Sequence, residues 1–176
     1  MSGTTANPGR ILAIDPTPRG FGFIVLEGPA TLVEWGVKAT RTDKQARTLD
    51  KVDGLIRQYQ PEIIVLEDYA GKGSRRCHRI EDLIKSARRL ADEKHIRDRV
   101  VAPERVKKVF RAFGALTKHQ IARVIAKQLP ELIPWLPRYR KPWMSEDYRM
   151  AIFDAAALAI TYLFIRPVRI RLTPPE

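Results

Sequence analysis

Three carboxylates occupy positions where a charge is expensive. Asp15 closes the apolar run Ile11–Ile14, Glu67 closes the run Ile63–Leu66, and Asp154 is the only charged residue between Arg149 and Arg166. A carboxylate buried without a partner is strongly destabilising, so each should be paired, hold a cation or shift its pKa. Ordinary explanations exist for each alone: a turn at Asp15-Pro16, a surface charge at the end of a strand for Glu67, a salt bridge to one of the many arginines for Asp154. Together they suggest more. Hard divalent cations take oxygen ligands, and metal-assisted phosphodiester hydrolysis needs several converging carboxylates. The carboxyl ends of strands are where open α/β sheets usually place such groups.

A phosphate-bearing substrate would also suit the charge of the chain. Its 176 residues carry 32 Lys and Arg against 20 Asp and Glu, a formal net charge of +12, and the pI is near 10.2. A polyanionic partner is the simplest reason for such an excess. Directly after Glu67 come Tyr69 and a Gly-rich basic loop, Gly71 to Arg76. Its glycines permit close backbone approach to phosphates, Lys72, Arg75 and Arg76 neutralise them, and the Tyr69 ring could stack on an unpaired base. Tyr69 would equally suit inward packing that closes the strand. Lys107 is a further phosphate-contact candidate, with a plain solvated face as its alternative.

Other chemistries are excluded more easily. Cys77 is the single cysteine, which rules out a disulfide framework, and His78, His95 and His119 lack zinc-ligand spacing. A reduced, cytoplasmic setting is expected. The small polar start reads as a loose tail rather than a leader. The longest apolar run, Met150 to Ile165, is short for a membrane span and carries Asp154 within it.

The elements that must position the acids follow from hydrophobic pattern. Ile11 to Ile14, Gly20 to Leu26 and Thr31 to Val37 are three closely spaced strands, predicting an antiparallel meander. Leu49, Val52, Leu55, Ile56 and Tyr59 recur at helical spacing before Pro61, predicting a helix over 46–59. Ile63-Ile64-Val65-Leu66 is the pattern of a strand buried on both faces and parallel to its helix-linked predecessor. A second amphipathic helix follows with Ile80, Leu83, Ile84, Ala87, Leu90 and Ala91 on one stripe. Beyond it a strand is expected over 99–102, a short helix over 104–110, a helix capped by Thr117 through Leu129, and a last helix capped by Ser145 and running to about Phe164. Pro130 to Pro142 reads as a Pro-rich surface connection bearing Trp135 and Tyr139, with Trp143 next. The sum is one α/β domain over 10–167, a three-strand meander plus parallel strands flanked by helices, with tails at 1–9 and 168–176.

Several short strings in this order resemble the motifs of RuvC-type Holliday-junction resolvases. They are Ile11-Leu12-Ala13-Ile14-Asp15-Pro16 with Gly20-Phe21-Gly22, then Val65-Leu66-Glu67, then Ala102-Pro103-Glu104-Arg105-Val106-Lys107-Lys108, then Lys118-His119-Gln120, and finally Asp154-Ala155-Ala156-Ala157-Leu158. The resemblance implies an RNase H-like fold and Mg2+-dependent endonuclease activity on four-way DNA junctions. It implies two ions per site, for which Mn2+ substitutes, held by Asp15, Glu67 and Asp154. It further implies Lys118 beside the scissile phosphate as a catalytic supplement, and a homodimer with one site per subunit. Two departures stand out. Thr17 replaces a usual glycine, and Ala151 stands one turn before Asp154, where the family commonly has a second acid. Asp147, two turns earlier if the last helix reaches back that far, is then the candidate for a fourth ligand, although an acid just after a cap also complements the helix dipole. Alternatives are an RNase H-like nuclease for other branched DNA or RNA-containing hybrids, a nucleic-acid-binding relative without catalysis, and, ranked low for want of a second phosphate loop, an actin-like ATPase.

Overall fold

The computed structural model describes residues 9–40, 44–70 and 78–165. Five strands form one mixed sheet: β1 (Arg10–Thr17), β2 (Gly20–Glu27), β3 (Thr31–Ala39), β4 (Ile63–Glu67) and β5 (Arg97–Val101). The order across the sheet is β3-β2-β1-β4-β5. The first three strands are antiparallel neighbours, as the short turns between them require, while β4 joins β1, and β5 joins β4, in parallel. Both parallel strands arrive by helical crossovers, α1 (Lys44–Tyr59) and α2 (His78–Glu93).

Strand alternation sorts the core into two layers. Leu12, Ile14, Phe23, Ile64 and Leu66 pack with Val52, Leu55 and Ile56 of α1 and Ile80, Ile84 and Ala87 of α2. Ile11, Ala13, Ile63 and Val65, the residues between them, pack on the opposite side with α3 (Pro103–Arg111), α4 (Lys118–Gln128) and α5 (Met150–Ile165). Burial on both faces is why β1 and β4 read as unbroken apolar runs. The last helix is apolar nearly all round because it lies across the sheet, with its residues buried from Met150 to Thr161 apart from Asp154.

Two expected boundaries shift in ways that matter. β1 does not end at Asp15 but continues through Pro16 to Thr17, pairing Asp15 with Gly22 and Pro16 with Phe21. The parallel ladder to β4 stops at the Ala13–Val65 pair, so β1 is open on that side, where a proline is tolerated. The last helix starts at Met150, not after Ser145. Residues 145–149 form an irregular approach in which the Arg149 N–H donates to Asp147 Oδ1 at 2.9 Å and the Met150 N–H donates to the Asp147 carbonyl at 3.0 Å. Asp147 therefore lies outside the helix, and the placement two turns before Asp154 on one helical face is corrected. No helix among the described residues is long and apolar enough to cross a membrane.

Candidate active site

The parallel register brings the first two acids together. Ala13 pairs with Val65, so two residues further along each strand Asp15 and Glu67 stand at matching levels. Both share parity with Ala13 and Val65, and hence the face covered by α5. Across from them α5 contributes Asp154, the one partly exposed residue in its buried stretch. Asp15, Glu67 and Asp154 line a single cleft of about 150 Å³, with Lys107 of α3 and Lys118 of α4 on its rim.

Close helix–sheet contact sets the spacing of this cleft. Gly22, the partner of Asp15 across β1 and β2, meets α5 so closely that a Cβ there would lie 2.3 Å from the backbone of Ala151. The absence of a side chain at 22 lets α5 settle one turn before Asp154, which brings that acid over the strand carrying Asp15. Position 151, where an extra acid was sought, is a packing position: Ala151 is 6% exposed.

Lys118 ties the site to its surroundings. Thr117 and Gln120 form a capping box that fixes the start of α4, so Lys118 projects from a defined first turn. Its ammonium donates to Asp154 Oδ2 at 2.9 Å and to Glu146 Oε1 at 2.8 Å. Burial works against its charge, but Asp154 and Glu146 outweigh that and hold its pKa above the ordinary lysine value. Glu146 is a site residue that the sequence reading missed. It lies with Asp147, Tyr148, Arg19 and Lys38 along a wider groove of about 570 Å³ that also reaches Asp15, Lys118 and Asp154.

The other candidates are placed as follows. Both oxygens of Asp147 accept from the Arg149 guanidinium, at 2.9 and 2.6 Å, and this hydrogen bonding, more than burial opposes it, lowers the pKa of the acid. Tyr69 is turned away from the cleft. It packs against the α1/α2 core with the Lys85 ammonium 5.4 Å from its ring centroid, because the chain leaves β4 in an Asx turn where Asp68 Oδ1 accepts from the Ala70 N–H. Lys72, Arg75 and Arg76 lie outside the described residues.

The donor set suits a hard divalent cation: three carboxylates share one cleft, and Asp15 is only 3% exposed, at a depth where a carboxylate needs compensating charge or hydrogen bonds. Among the described residues no three carboxylate, imidazole or thiolate groups already form a ready-made cation cage. In this conformation the Lys118 ammonium sits against Asp154, so a cation bound there would compete with it or displace it.

The mixed five-strand sheet flanked by helices is an RNase H-like fold, the fold of RuvC-like resolvases. No family model matches the sequence, and no curated protein does. Solved structures do share the architecture. Thermus thermophilus RuvC superposes with a TM-score of 0.64 at 19% identity, over 88% of this chain and 93% of that one. The same protein in complex with a Holliday junction substrate gives 0.64 at 18%, over 89% and 93%. The yeast mitochondrial Holliday junction resolvase gives 0.61 at 14%, over 89% and 78%. At these identities the likeness establishes the fold.

Proposed function

We propose that this chain is a structure-selective endonuclease that hydrolyses phosphodiesters of four-way DNA junctions. The observation that carries the reading is the meeting of Asp15, Glu67 and Asp154 in one cleft rimmed by Lys107 and Lys118, on a fold shared with solved Holliday junction resolvases. Asp15, Glu67 and Asp154 would hold the metal, with Glu146 and Asp147 nearest at hand for any fourth carboxylate. Bound there, Mg2+ supplies Lewis acidity toward the phosphate and the attacking water. Lys118 and Lys107 bring positive charge to the strand entering the cleft. Were a cation to take over Asp154, Lys118 would be left able to turn its ammonium to the scissile phosphate. A homodimer would present two such clefts for symmetric cuts.

A second reading keeps the binding and removes the chemistry. It is favoured by Ala151 in the place of an acid and by the Lys118–Asp154 ion pair. One experiment separates the two: the purified protein is incubated with a synthetic four-way junction, a flap, an RNA–DNA hybrid and a linear duplex in Mg2+ or Mn2+, and cuts are mapped. Paired nicks at the junction centre support the proposal. Cutting confined to flaps or hybrids moves the substrate, and binding of branched DNA without any cut in either metal supports the inactive relative.

A further inference from the structure

The connection from α4 to α5 carries more than a connection needs. Within 138–148 stand Arg138, Arg140 and Lys141 together with three strongly exposed rings, Tyr139 at 73%, Trp143 at 77% and Tyr148 at 67%. Three such exposed rings among cations in one short segment point to an interaction site. The segment is also ordered by its own contacts. His119 of α4 anchors it twice, through a 3.1 Å hydrogen bond between Nε2 and the Pro137 carbonyl and through an edge-on contact with the Tyr139 ring at 5.6 Å between centroids. A tight turn closed by the Met144 N–H donating to the Lys141 carbonyl at 3.0 Å, and held by Arg140 donating to the Met144 carbonyl, presents Trp143 outward. The Lys141 ammonium lies 5.3 Å from the Trp143 ring centroid.

This platform adjoins the acid cleft. His119 follows Lys118 in the chain, and Lys118 lines the acid cleft, the wider groove and the recess of about 470 Å³ bounded by Arg138, Tyr139 and Arg140. We infer that residues 138–148 form a stacking platform for unpaired nucleotides of a DNA strand, with Trp143 and Tyr148 taking bases and Arg138 and Lys141 taking phosphates. Rings that lie open in water beside cations match the two faces of a single strand, its bases and its phosphates. Closed duplex offers the phosphates but no base face, and an acidic peptide would use the cations while leaving the rings uncovered. The inference deepens the junction reading, since it names what would hold an opened strand beside the cleft, but its binding test does not depend on cleavage.

The test uses the full chain in EDTA, with a fluorescently labelled oligothymidylate as the single strand, a blunt duplex of equal length, and heparin as a polyanion without bases. The inference expects quenching of tryptophan emission by the oligothymidylate and not by heparin. It expects Trp143→Ala to weaken oligothymidylate binding about tenfold, with duplex binding changed less than about twofold. Trp143→Phe should retain most of the affinity, and the melting temperature should stay near wild type because the ring is exposed. Tyr148→Ala should show the same selectivity more weakly. Equal loss on single strand, duplex and heparin in Trp143→Ala, or unchanged single-strand affinity in both alanine variants, overturns the platform and leaves a protein surface as the use of these rings. If no branched DNA is cut yet the Trp143 variants behave as expected, the cleavage reading fails and the platform stands. If junctions are cut and Trp143→Ala binds single strands like wild type, the reverse holds.

Discussion

Leu12 and Ile14 face α1 and α2, while Ala13 and Asp15, each one residue further on, face α5. The same strands thus build two layers of different character. Side chains that meet between the sheet and the α1/α2 layer are mainly apolar, with Ile64, Leu66 and Ile84 fully buried. The α5 layer is mainly apolar too, and Asp15, Glu67 and Asp154 open it into a cleft. Period-two alternation places structure and candidate chemistry back to back on one strand, so the sealed layer can hold the frame rigid while the other carries groups that oppose folding. Substitutions on the two sides should therefore separate activity from stability.

The sharpest break is expected on the cleft side. Asp15→Asn, Glu67→Gln and Asp154→Asn should each lower the junction cleavage rate by at least about a hundredfold, while junction binding measured by electrophoretic mobility stays within a few-fold of wild type. Each removes a negative charge from the cleft and leaves the basic surface in place. Wild-type cleavage by any one variant removes that residue from the site. On the sealed side the pattern inverts. Ile84→Ala should cost about 2–5 kcal/mol in denaturant unfolding through the cavity it leaves, with the cleavage rate per folded molecule unchanged. Tyr69→Ala, which trims the edge of the same layer, should lower the melting temperature and reduce duplex and junction binding equally. A loss confined to junctions would instead give Tyr69 a role at the branch point and blur the division between the two layers.

Smaller effects are expected from the cations on the rim. Lys118→Ala and Lys107→Ala should weaken junction binding and reduce the slope of log affinity against log salt by about one phosphate contact each. Lys118→Ala should also slow cleavage at saturating DNA, which Lys107→Ala should not. A lysine ammonium is charged throughout the neutral range whether or not it keeps its contacts, and its contacts with Asp154 and Glu146 raise the Lys118 pKa further. The cleavage rate should then show no Lys118 limb below about pH 10, and a limb near neutrality that disappears in Lys118→Ala would contradict this.

The legible parts of the site were those fixed by regular periodicity. Asp15 and Glu67 followed from apolar runs that end in a carboxylate, and Asp154 from a single charge in an apolar helix. Lys118 followed from family resemblance alone, with the Thr117 cap placing it at a helix start. What escaped lies where geometry depends on competing local contacts. Ser145 is the expected cap, but Asp147 two residues on is an equally good capping residue. The choice is made by Arg149, which pairs with Asp147 and delays the helix to Met150. That delay leaves Glu146 free of helical geometry and able to meet Lys118. Tyr69 shows the same weakness: its parity with Glu67 would place it on the cleft face, but the Asx turn at Asp68 breaks the alternation. The Gly22–Ala151 approach is a tertiary contact with no local signature.

The smallest expected effect bears on Asp147, which stands between the two roles. As a ligand it would belong with the cleft acids, and as a turn residue with the frame. Its carboxylate is held below the usual range by Arg149, so its stabilising contribution is present above the ordinary aspartate pKa and is lost as pH falls through the lowered folded value. The pair is partly exposed and screened by solvent, so the contribution is modest, up to about 1 kcal/mol. Asp147→Asn keeps an oxygen that can accept from the Arg149 N–H but loses the ion pair. It should lower the melting temperature by a few degrees at pH 7 and by progressively less as pH falls through the lowered folded value, where the wild-type acid becomes protonated. Cleavage should fall only slightly, with the same dependence on Mg2+ concentration as wild type. A Mg2+ requirement raised about tenfold or more, with an unchanged melting temperature, would move Asp147 to the cleft side of the comparison. It would then be the carboxylate missing from position 151, supplied from outside the helix.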